Sequence, residues 1–347
     1  MASRLVYKHL LFTNLMINVG IVGLGWWGKK LAQSIRESSL LRVVRGVETN
    51  PAAMQGFAET CGFPISADYS SVLEDPHVHA VLLATPHSLH TEQIERAAAA
   101  KKHVFCEKPL ALTRAGAERN VRLVASQGMV LGIGHERRWE PPVALMLEEA
   151  RSGKLGKLLQ LEANSSHDKF VALSSDNWRL TAAEAPAGGM TATAIHCFDM
   201  ATSLFGEGET AYASSATLGS NITNGDSSCA LVRYRNGCTA YVSAILATPF
   251  ISRIALFGSE GWIEIRDKAH IEASEGSWFT RCAKGGRPVT TDLPVGRAVL
   301  DNLEAFARAV QGDAPYPIST AEMIANAAVM EAIFKSAEQG TAQRVPS

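Results

Sequence analysis

Three glycines near the start of the chain have the spacing that binds the phosphates of a dinucleotide. In "GLGWWG" they are Gly23, Gly25 and Gly28, between an apolar run and a helix-like segment. The first glycine allows a tight turn, the second lets the backbone approach a pyrophosphate, and the third lets the helix pack on the strand. Unpaired N–H groups of the helix then face the phosphates. A purely structural glycine turn is the alternative, and Trp26 and Trp27 are expected to pack at the edge of the cofactor.

A carboxylate follows at the distance where such sites bind a ribose. Glu48 closes the second apolar run, twenty residues beyond Gly28. A carboxylate there accepts hydrogen bonds from both adenine-ribose hydroxyls and repels a 2′-phosphate, which favours NAD over NADP. Arg42 and Arg45 lie before or within the same run and weaken this preference only slightly. The expected cofactor is therefore NAD, with NADP as the less favoured alternative.

Two further apolar runs end in ionisable residues. Ligands of open α/β sheets bind at the carboxyl ends of the strands, so these residues are candidates for chemistry. A lone lysine is ordinarily a surface residue, however, and neighbouring histidines can simply cap and pack. The run in "VFCEKPLALT" is followed by Glu107, Lys108 and Pro109, and the run in "LLATPHSLH" by Thr85, Pro86, His87 and His90.

A histidine in the second half of the chain lies on an apolar helical stretch. The segment "TATAIHCFDMATSLF" contains His196, and Asp199 follows three residues later on the same helix face. From the residues alone, the ordinary interpretation of His196 is a packed core histidine, and Asp199 is first interpreted as structural. His135 and His167 are likewise interpreted mainly as packing residues, with a place in the pocket lining as the alternative for either.

The first part of the chain has the pattern of strands and helices that would bring the candidate cofactor residues together. Between Ile17 and about residue 134, short apolar runs such as "INVGIVG" and "HVFCE" alternate with helical segments. Near-continuous aliphatic runs indicate strands buried on both faces, and helices between them supply right-handed crossovers. We predict an NAD-binding Rossmann domain, a doubly wound parallel sheet, over residues 16–137.

The remainder of the chain has longer β-type segments separated by turns. "CALVRYRNGCTAYVSAIL" and "RIALFGSEGWIEIRD" are typical of hairpins, since Asn and Gly tolerate positive φ. We predict a substrate-binding α+β domain over residues 138–347, with a large, mostly antiparallel sheet and helices on one face. The C-terminal helix is a candidate to pack back on the first domain. The uncovered face of the sheet predicts a homodimer or homotetramer.

Composition excludes several classes of function. The chain has 347 residues, 46% of them hydrophobic, and a net charge of -1, which gives no basic field for nucleic acid. It contains no run of about 18 apolar residues, so no membrane partner is expected. Six cysteines form no CxxC pair, which predicts no metal site and a reducing cytoplasm.

The first fifteen residues are treated as an N-terminal extension. They have a weakly basic start and a short apolar middle, but no A-x-A-like cleavage site follows. Met16 stands directly before the first predicted strand. Met16 is therefore a hypothetical native start.

Several motifs together resemble the Gfo/Idh/MocA oxidoreductases, named for glucose–fructose oxidoreductase, inositol dehydrogenase and a rhizopine-catabolism protein. The resemblance covers essentially the whole chain from Ile17, and Glu107-Lys108-Pro109 is its most specific element. The motifs are the glycine pattern, "TPHSLH", "HVFCEKPLAL", "GHERRWEP", "NWRL", "GGMTATAIHCFD" and "YPISTAEM".

The resemblance implies an NAD-dependent dehydrogenase acting on the CH–OH group of a sugar, cyclic polyol or related hydroxy compound. Lys108 is implied to lie beside the nicotinamide and donate to the substrate oxygen, and Pro109 to follow a cis-type bond. His196 is implied to exchange the hydroxyl proton, a task that suits imidazole. The resemblance also implies cofactor contacts for the residues that end the two strands, Thr85, Pro86, His87, His90, Glu107, Lys108 and Pro109.

The chain departs from the family pattern in ways that leave the substrate open. The usual D-x-G-x-H run has Ala192 in place of its aspartate, and Thr193 is an imperfect substitute about 100° round a helix. His87 and Glu136 stand where asparagine-type residues are common. Arg137 or Arg138 is expected to reach the pocket, and an arginine at the pocket mouth suits a carboxylate or polyol. The implied substrate contacts are Arg137, Trp178, Arg179, Thr193 and Asp199.

Two alternatives to a dehydrogenase remain open from the sequence. One is a hydrolase that uses tightly held NAD for transient oxidation and cleaves glycosides with no net NADH. The other is a non-catalytic, NAD-dependent binding or regulatory protein. Ala192 keeps the second alternative open, whereas the presence of both Lys108 and His196 argues against it.

Overall fold

The structure is a computed structural model that describes residues 16–270 and 273–347. The expected N-terminal extension, residues 1–15, and the hypothesis about the start at Met16 concern a segment outside the described residues. Among the helices that are described, none combines the length and the apolar character needed to cross a membrane.

The first sheet is parallel and has the strand order β3-β2-β1-β4-β5-β6. This arrangement confirms the prediction of a doubly wound sheet. Its central strands are buried on both faces because nearly every side chain in them is aliphatic. The two-residue β3 was not predicted, since it has no apolar run. The strands are β1 (Ile17–Val22), β2 (Leu41–Val47), β3 (Ile65–Ser66), β4 (Ala80–Leu83), β5 (His103–Cys106) and β6 (Leu131–Ile133).

Helices connect these strands and cover both faces of the sheet. The third helical residue of α1 is Gly28, and the apolar side of α1 buries Leu31 and Ile35. Thr113 caps α5 by accepting a hydrogen bond of 3.1 Å from the Gly116 N–H. The helices of this part of the chain are α1 (Trp26–Ile35), α2 (Gln55–Cys61), α3 (Ser70–Leu73), α4 (His90–Ala99), α5 (Arg114–Ser126) and α6 (Pro141–Arg151).

The second sheet has nine strands in the order β14-β13-β12-β11-β7-β10-β9-β8-β15. Neighbouring strands are antiparallel except β7 and β10, which confirms the prediction of a mostly antiparallel sheet. Its strands are β7 (Leu158–Ser166), β8 (Gly208–Ala216), β9 (Ser227–Tyr234), β10 (Thr239–Ile245), β11 (Ile251–Gly258), β12 (Gly261–Asp267), β13 (Ser277–Ala283), β14 (Val289–Leu293) and β15 (Gln343–Arg344).

One face of this sheet is covered and the other is open. Alternate strand residues such as Val232 and Val242 are fully buried against α7 (Ile195–Phe205). On the opposite face, Tyr212 lies opposite Leu231, and Leu231 lies opposite Tyr241 across β8, β9 and β10. These three side chains are 42–50% exposed. They form a continuous apolar patch, which we call the open-face patch.

The last two helices connect the two sheets. α8 (Ala298–Gln311) packs on the first sheet, where the Phe306 ring centroid lies 5.6 Å from that of Phe105. α9 (Thr320–Gln339) begins at a capping box between Ser319 and Glu322, and its Met323 joins the core of the first domain. The C-terminal segment therefore belongs partly to the core of the Rossmann domain.

Candidate active site

The glycine turn after β1 has the geometry that a pyrophosphate needs. Gly23 has φ +88°, and a Cβ on it would lie 2.7 Å from the Ala84 carbonyl oxygen. A Cβ on Gly28 would lie 1.9 Å from the Gly23 carbonyl oxygen, so only glycine allows this contact between turn and helix. A Cβ on Gly25 would meet no atom within 4 Å. The backbone at Gly25, at the start of α1, is therefore accessible to a phosphate.

Glu48 lies beside this turn, at the carboxyl end of β2. One carboxylate oxygen accepts a hydrogen bond of 2.8 Å from the Leu24 N–H, and the other accepts one of 2.8 Å from the Thr49 N–H. These bonds hold the half-buried carboxylate at the rim of the cradle, and Oε2, which accepts one hydrogen bond, retains capacity to accept a further one. The glycine turn and this carboxylate fit the pyrophosphate and the ribose of NAD.

The carboxyl ends of β4, β5 and β6 converge with the second domain on an open cleft. Its lining combines aromatic, polar and ionisable side chains, which is typical of a small-molecule site. Eleven predicted residues line it. They are Trp26, Trp27, Thr85, His87, Glu107, Lys108, Arg137, Trp178, Arg179, Thr193 and His196.

Lys108 extends across the cleft toward the second domain. Its Nζ donates a hydrogen bond of 2.7 Å to the main-chain carbonyl of Ala192, and the Lys108–Pro109 peptide bond is cis. Burial lowers the pKa of the Lys108 ammonium below its ordinary value. The lysine is thus anchored to the backbone at the position where the family aspartate is missing.

A short turn and two close-packed glycines present His196 to the same cleft. Gly188 and Gly189 let this segment approach the backbone of Gly225 and Ala244 closely, because a Cβ would clash at either position. A single π-helical stretch, Met190–Ala194, then leads into α7. The Thr193 hydroxyl donates to the Ser165 carbonyl at 2.9 Å, so the main chain already takes its proton.

His196 lies between a second histidine and a carboxyl group. Its Nδ1 is 3.5 Å from the Nδ1 of His135, and its Nε2 is 3.8 Å from Oε1 of Glu136. Burial lowers the pKa of His196 well below its ordinary value, and nearby Lys108 acts in the same direction. The imidazole is therefore neutral near pH 7 and able to accept a proton.

Two buried carboxyl groups contribute to the electrostatics of the cleft. Burial raises the pKa of Glu107 to about 7 and that of Glu136 to about 8. Both groups lie near Lys108, which opposes the shift. The site therefore holds several ionisable groups whose protonation changes near neutral pH, a feature typical of acid–base catalysis.

The two adjacent arginines are both bound by carboxylates. Arg137 donates to Glu140 and to Asp267, the latter at 2.7 Å. Arg138 donates to Asp199 at 2.6 Å and to Glu322 at 2.8 Å. Arg137 still lines the cleft, whereas Arg138 lies behind it.

Besides the three glycines and Glu48 of the cradle, four predicted site residues do not line the cleft. Asp199 is 1% exposed and lies behind His135, where it holds Arg138, so its substrate contact stays a prediction that this placement does not favour. The cofactor contact of His90 likewise stays a prediction. Its buried ring nitrogens lie 2.9 Å from the Pro109 carbonyl and 3.1 Å from that of Thr85, so it braces the two loops. Pro86 and Pro109 shape those loops.

Trp178 and Arg179 are half-buried and line the cleft. The Arg179 guanidinium stacks 4.1 Å from the Trp178 ring centroid, and the His87 ring packs edge-on to the same tryptophan at 4.8 Å. Nearby, Ser88 donates to the Glu184 carboxylate through both its N–H and its hydroxyl. This segment of the second domain is thereby attached to the loop after β4.

Apart from His167, sequence reasoning missed the opposite wall of the cleft. It is formed by side chains from separate segments of the second domain, namely His167, Phe170, Phe250, Ser252, Asp267 and His270. None lies in a motif, because they come together only through the pairing of β7, β11 and β12. Across the described residues, no group of three His, Cys, Asp or Glu side chains has the arrangement of a metal site.

A parallel sheet with the glycine cradle and an acid–base cleft defines an NAD-binding oxidoreductase. The chain belongs to the Gfo/Idh/MocA family. Residues 17–135 match the family described as "Oxidoreductase family, NAD-binding Rossmann fold", and residues 143–264 match the "GFO/IDH/MocA C-terminal domain". This membership confirms the resemblance predicted from the motifs.

Several dehydrogenases and reductases are similar to this chain. Levoglucosan dehydrogenase of Pseudarthrobacter phenanthrenivorans is 33% identical over 203 residues, which are 55% of this chain and 52% of that protein. The 1,5-anhydro-D-fructose reductase of Ensifer adhaerens is 28% identical over 91% of this chain and 89% of its own. A levoglucosan dehydrogenase solved in complex with NADH matches with a TM-score of 0.82 and 25% identity, over 96% of this chain and 100% of that one.

Proposed function

We propose that this protein is an NAD-dependent dehydrogenase that oxidises a secondary alcohol of a cyclic sugar or polyol, or reduces the corresponding ketone. The observation that carries the proposal is the convergence of Lys108 and His196 on one cleft beside the glycine cradle. Alcohol oxidation is assisted by a group that accepts the hydroxyl proton and by one that stabilises the developing negative charge on oxygen, and a neutral imidazole and a lysine suit these two tasks.

Bound NAD supplies the acceptor for the hydride that leaves the carbinol carbon. Lys108 donates a hydrogen bond to the substrate oxygen and stabilises the negative charge that develops on it. His196 accepts the hydroxyl proton, and returns it when the reaction runs toward the alcohol. Lys108 is fixed for this task by the Ala192 carbonyl, so its ammonium needs little reorganisation when substrate binds.

The lining of the cleft supports a cyclic polyhydroxylated substrate. Phe170, Phe250 and Trp178 offer apolar faces, while Arg179 and Ser252 offer polar groups near them. Sugar-type rings carry both C–H faces and hydroxyl edges, and they fit such a mixed surface. The names of the similar levoglucosan dehydrogenase and 1,5-anhydro-D-fructose reductase favour the same class.

Two further assignments belong to the proposal. Glu48 selects NAD over NADP, because its carboxylate lies where a 2′-phosphate would be repelled. The open-face patch forms the interface of a homodimer or homotetramer, since a contiguous apolar surface of this kind is costly to leave in water.

A substrate panel tests the proposed reaction. Wild-type protein with NAD and a set of cyclic polyols, sugars and anhydrosugars is expected to produce NADH, measured by absorbance, with at least one of them. His196→Asn keeps a similar size but loses the basic nitrogen, and it is expected to lower kcat by about 100-fold. Glu95→Gln, a change on an exposed helix, serves as the control.

Three results would contradict the proposal. Full turnover by His196→Asn removes the proton-transfer role. Glycoside cleavage without net NADH indicates the hydrolase alternative. Tight NADH binding with no turnover of any alcohol or ketone in the panel indicates the regulatory alternative.

A further inference from the structure

One carboxyl group in the cleft is buried without a full set of partners. Glu136 follows β6 and is 6% exposed, and its Oε2 has no hydrogen-bond partner among the described residues. The two arginines that follow it in sequence are bound by other carboxylates. A buried and incompletely paired carboxyl group is costly, and such groups are retained where they have a function.

The environment of Glu140, four residues along the chain, provides the contrast. Its carboxylate accepts three hydrogen bonds of 3.0–3.1 Å from the Arg137 guanidinium, so it is held as a structural ion pair. Glu136 has no such partner. Its nearest ionisable neighbour in a polar contact is His196, whose Nε2 lies 3.8 Å from Oε1.

Each ring nitrogen of His196 faces a different neighbour. Its Nδ1 faces His135 at 3.5 Å, and His135 in turn lies 3.7 Å from Asp199 through Nε2. The other ring nitrogen, Nε2, faces Glu136. The histidine is thus positioned from one side by neutral His135, and its Nε2 faces the Glu136 carboxyl group on the other.

We propose that Glu136 and His196 act as one acid–base unit that shares the proton exchanged with the substrate, with Glu136 holding that proton in the resting site. The inference rests on the proposed function and deepens it. It also accounts for the absence of a carboxylate at Ala192, since Glu136 provides one from a different segment of the same cleft.

The proton balance of the step is simple. In oxidation, which requires ionised Glu136, the substrate O–H bond breaks and an N–H bond forms at Nε2 of His196, and NAD, when bound, would accept the hydride from the carbinol carbon. The N–H bond then breaks as the proton passes to Oε1 of Glu136, where a carboxyl O–H bond forms. In reduction the same proton moves from Glu136 through His196 to the developing alkoxide.

The charges around Glu136 determine when it can accept a proton. Burial raises its pKa to about 8, and the neighbouring carboxyls Glu107 and Glu140 act in the same direction, whereas Lys108 opposes them. His196 faces Lys108, His135 and Arg137, which together with burial lower its pKa. At pH 7 the carboxyl is therefore protonated and the imidazole neutral, and oxidation should accelerate as pH rises through about 8.

Nuclear magnetic resonance of the imidazole tests this unit without any substrate. Histidine-labelled protein is titrated from about pH 6 to 10, with His196 assigned by its loss in His196→Asn. We expect the His196 ring nitrogens to shift in a step near pH 8 when Glu136 ionises. The step should disappear in Glu136→Gln and remain in Glu322→Gln, which removes a carboxylate paired with Arg138 instead.

Kinetics of the holoenzyme provide the second test. Glu136→Gln is expected to lower kcat for oxidation by about 100-fold and to remove the rise of the rate near pH 8. Glu136→Asp retains the ionisable group and should retain that rise at reduced kcat. NADH affinity should change by less than about 3-fold in either variant, because Glu136 lies away from the glycine cradle.

The outcomes separate this inference from the proposed function. A wild-type His196 resonance without a step near pH 8, or the same step in Glu136→Gln, overturns the inference whatever the activity. Wild-type turnover with an unchanged pH profile in Glu136→Gln also overturns it and leaves the dehydrogenase intact. A wild type that oxidises no alcohol in the panel refutes the function, and the imidazole titration then decides the inference. Should Glu136→Gln fail to fold, the wild-type titration and Glu136→Asp provide the answer.

Discussion

Lys108 donates its side-chain hydrogen bond to the main-chain carbonyl of Ala192, four residues before His196. A carbonyl oxygen is a neutral acceptor, so it orients the lysine without adding a negative charge. The pKa of Lys108 therefore stays lowered by burial, which an aspartate side chain at position 192 would counteract. This contact fixes the distance between the two candidate catalytic residues across the domain boundary.

The first prediction concerns that lysine. Lys108→Met keeps the length and apolar stem of the side chain but removes the donor, and kcat should fall by about 100-fold or more because the developing oxyanion loses its stabilisation. NADH affinity should change little. Steady-state kinetics on the best substrate of the panel, together with NADH titration, measure both. A variant with unchanged kcat contradicts the assigned role, and Lys101→Met, on an exposed turn, is the matched control.

The second prediction concerns cofactor selection by Glu48. Glu48→Gln retains an acceptor for the Leu24 N–H but loses the charge that repels a 2′-phosphate. The ratio of kcat/KM for NAD to that for NADP should fall by about 10-fold, which corresponds to about 1.4 kcal/mol. Glu37→Gln, in the exposed turn after α1, should leave the ratio unchanged. An unaltered ratio in Glu48→Gln would mean that another group selects the cofactor.

The sequence predicts the cofactor half of the site well because its determinants are local. Gly23, Gly25 and Gly28 lie close together in sequence; a Cβ would clash at Gly23 and Gly28, and the space beside Gly25 is open. Glu48 and Lys108 follow strands directly, and the carboxyl ends of parallel strands must meet at one edge of the sheet.

The substrate half could be predicted only in part because its determinants are distant in sequence. Phe170 and Phe250 share a wall through strand pairing that no short pattern encodes. Asp199 shares a helix face with His196, but helical spacing alone does not reveal that Arg138 holds it away from the cleft. The sequence identified Glu136 only as a departure from the family pattern, with no role assigned to it. Its significance depends on its 3.8 Å contact with His196.

The third prediction is a loss of stability in mild acid. His135 is 1% exposed, and burial lowers its pKa to about 4. Below about pH 6.5 the unfolded chain binds a proton that the folded state does not, so the free energy of unfolding falls until the pH approaches 4. Between pH 7 and pH 5 this group should cost about 2 kcal/mol.

Urea unfolding at the two pH values measures that loss. The comparison is with His135→Gln, whose side chain does not titrate, so its loss of stability between pH 7 and pH 5 should be smaller by about 2 kcal/mol. Both proteins share all remaining ionisable groups, and their contributions cancel to first order. Equal losses in the two proteins would show that His135 does not remain neutral in the folded state.

The last prediction concerns assembly through the open-face patch. Leu231 lies between Tyr212 and Tyr241 on adjacent strands, and all three are about half exposed in a single chain. Leu231→Asp places a charge at the centre of this surface, where burial against a second copy would cost several kcal/mol. Light scattering coupled to size-exclusion chromatography should then give the mass of one chain. Ala144→Asp adds the same charge on the exposed side of α6 and should leave the oligomer intact, whereas dissociation by both variants or by neither would place the interface elsewhere.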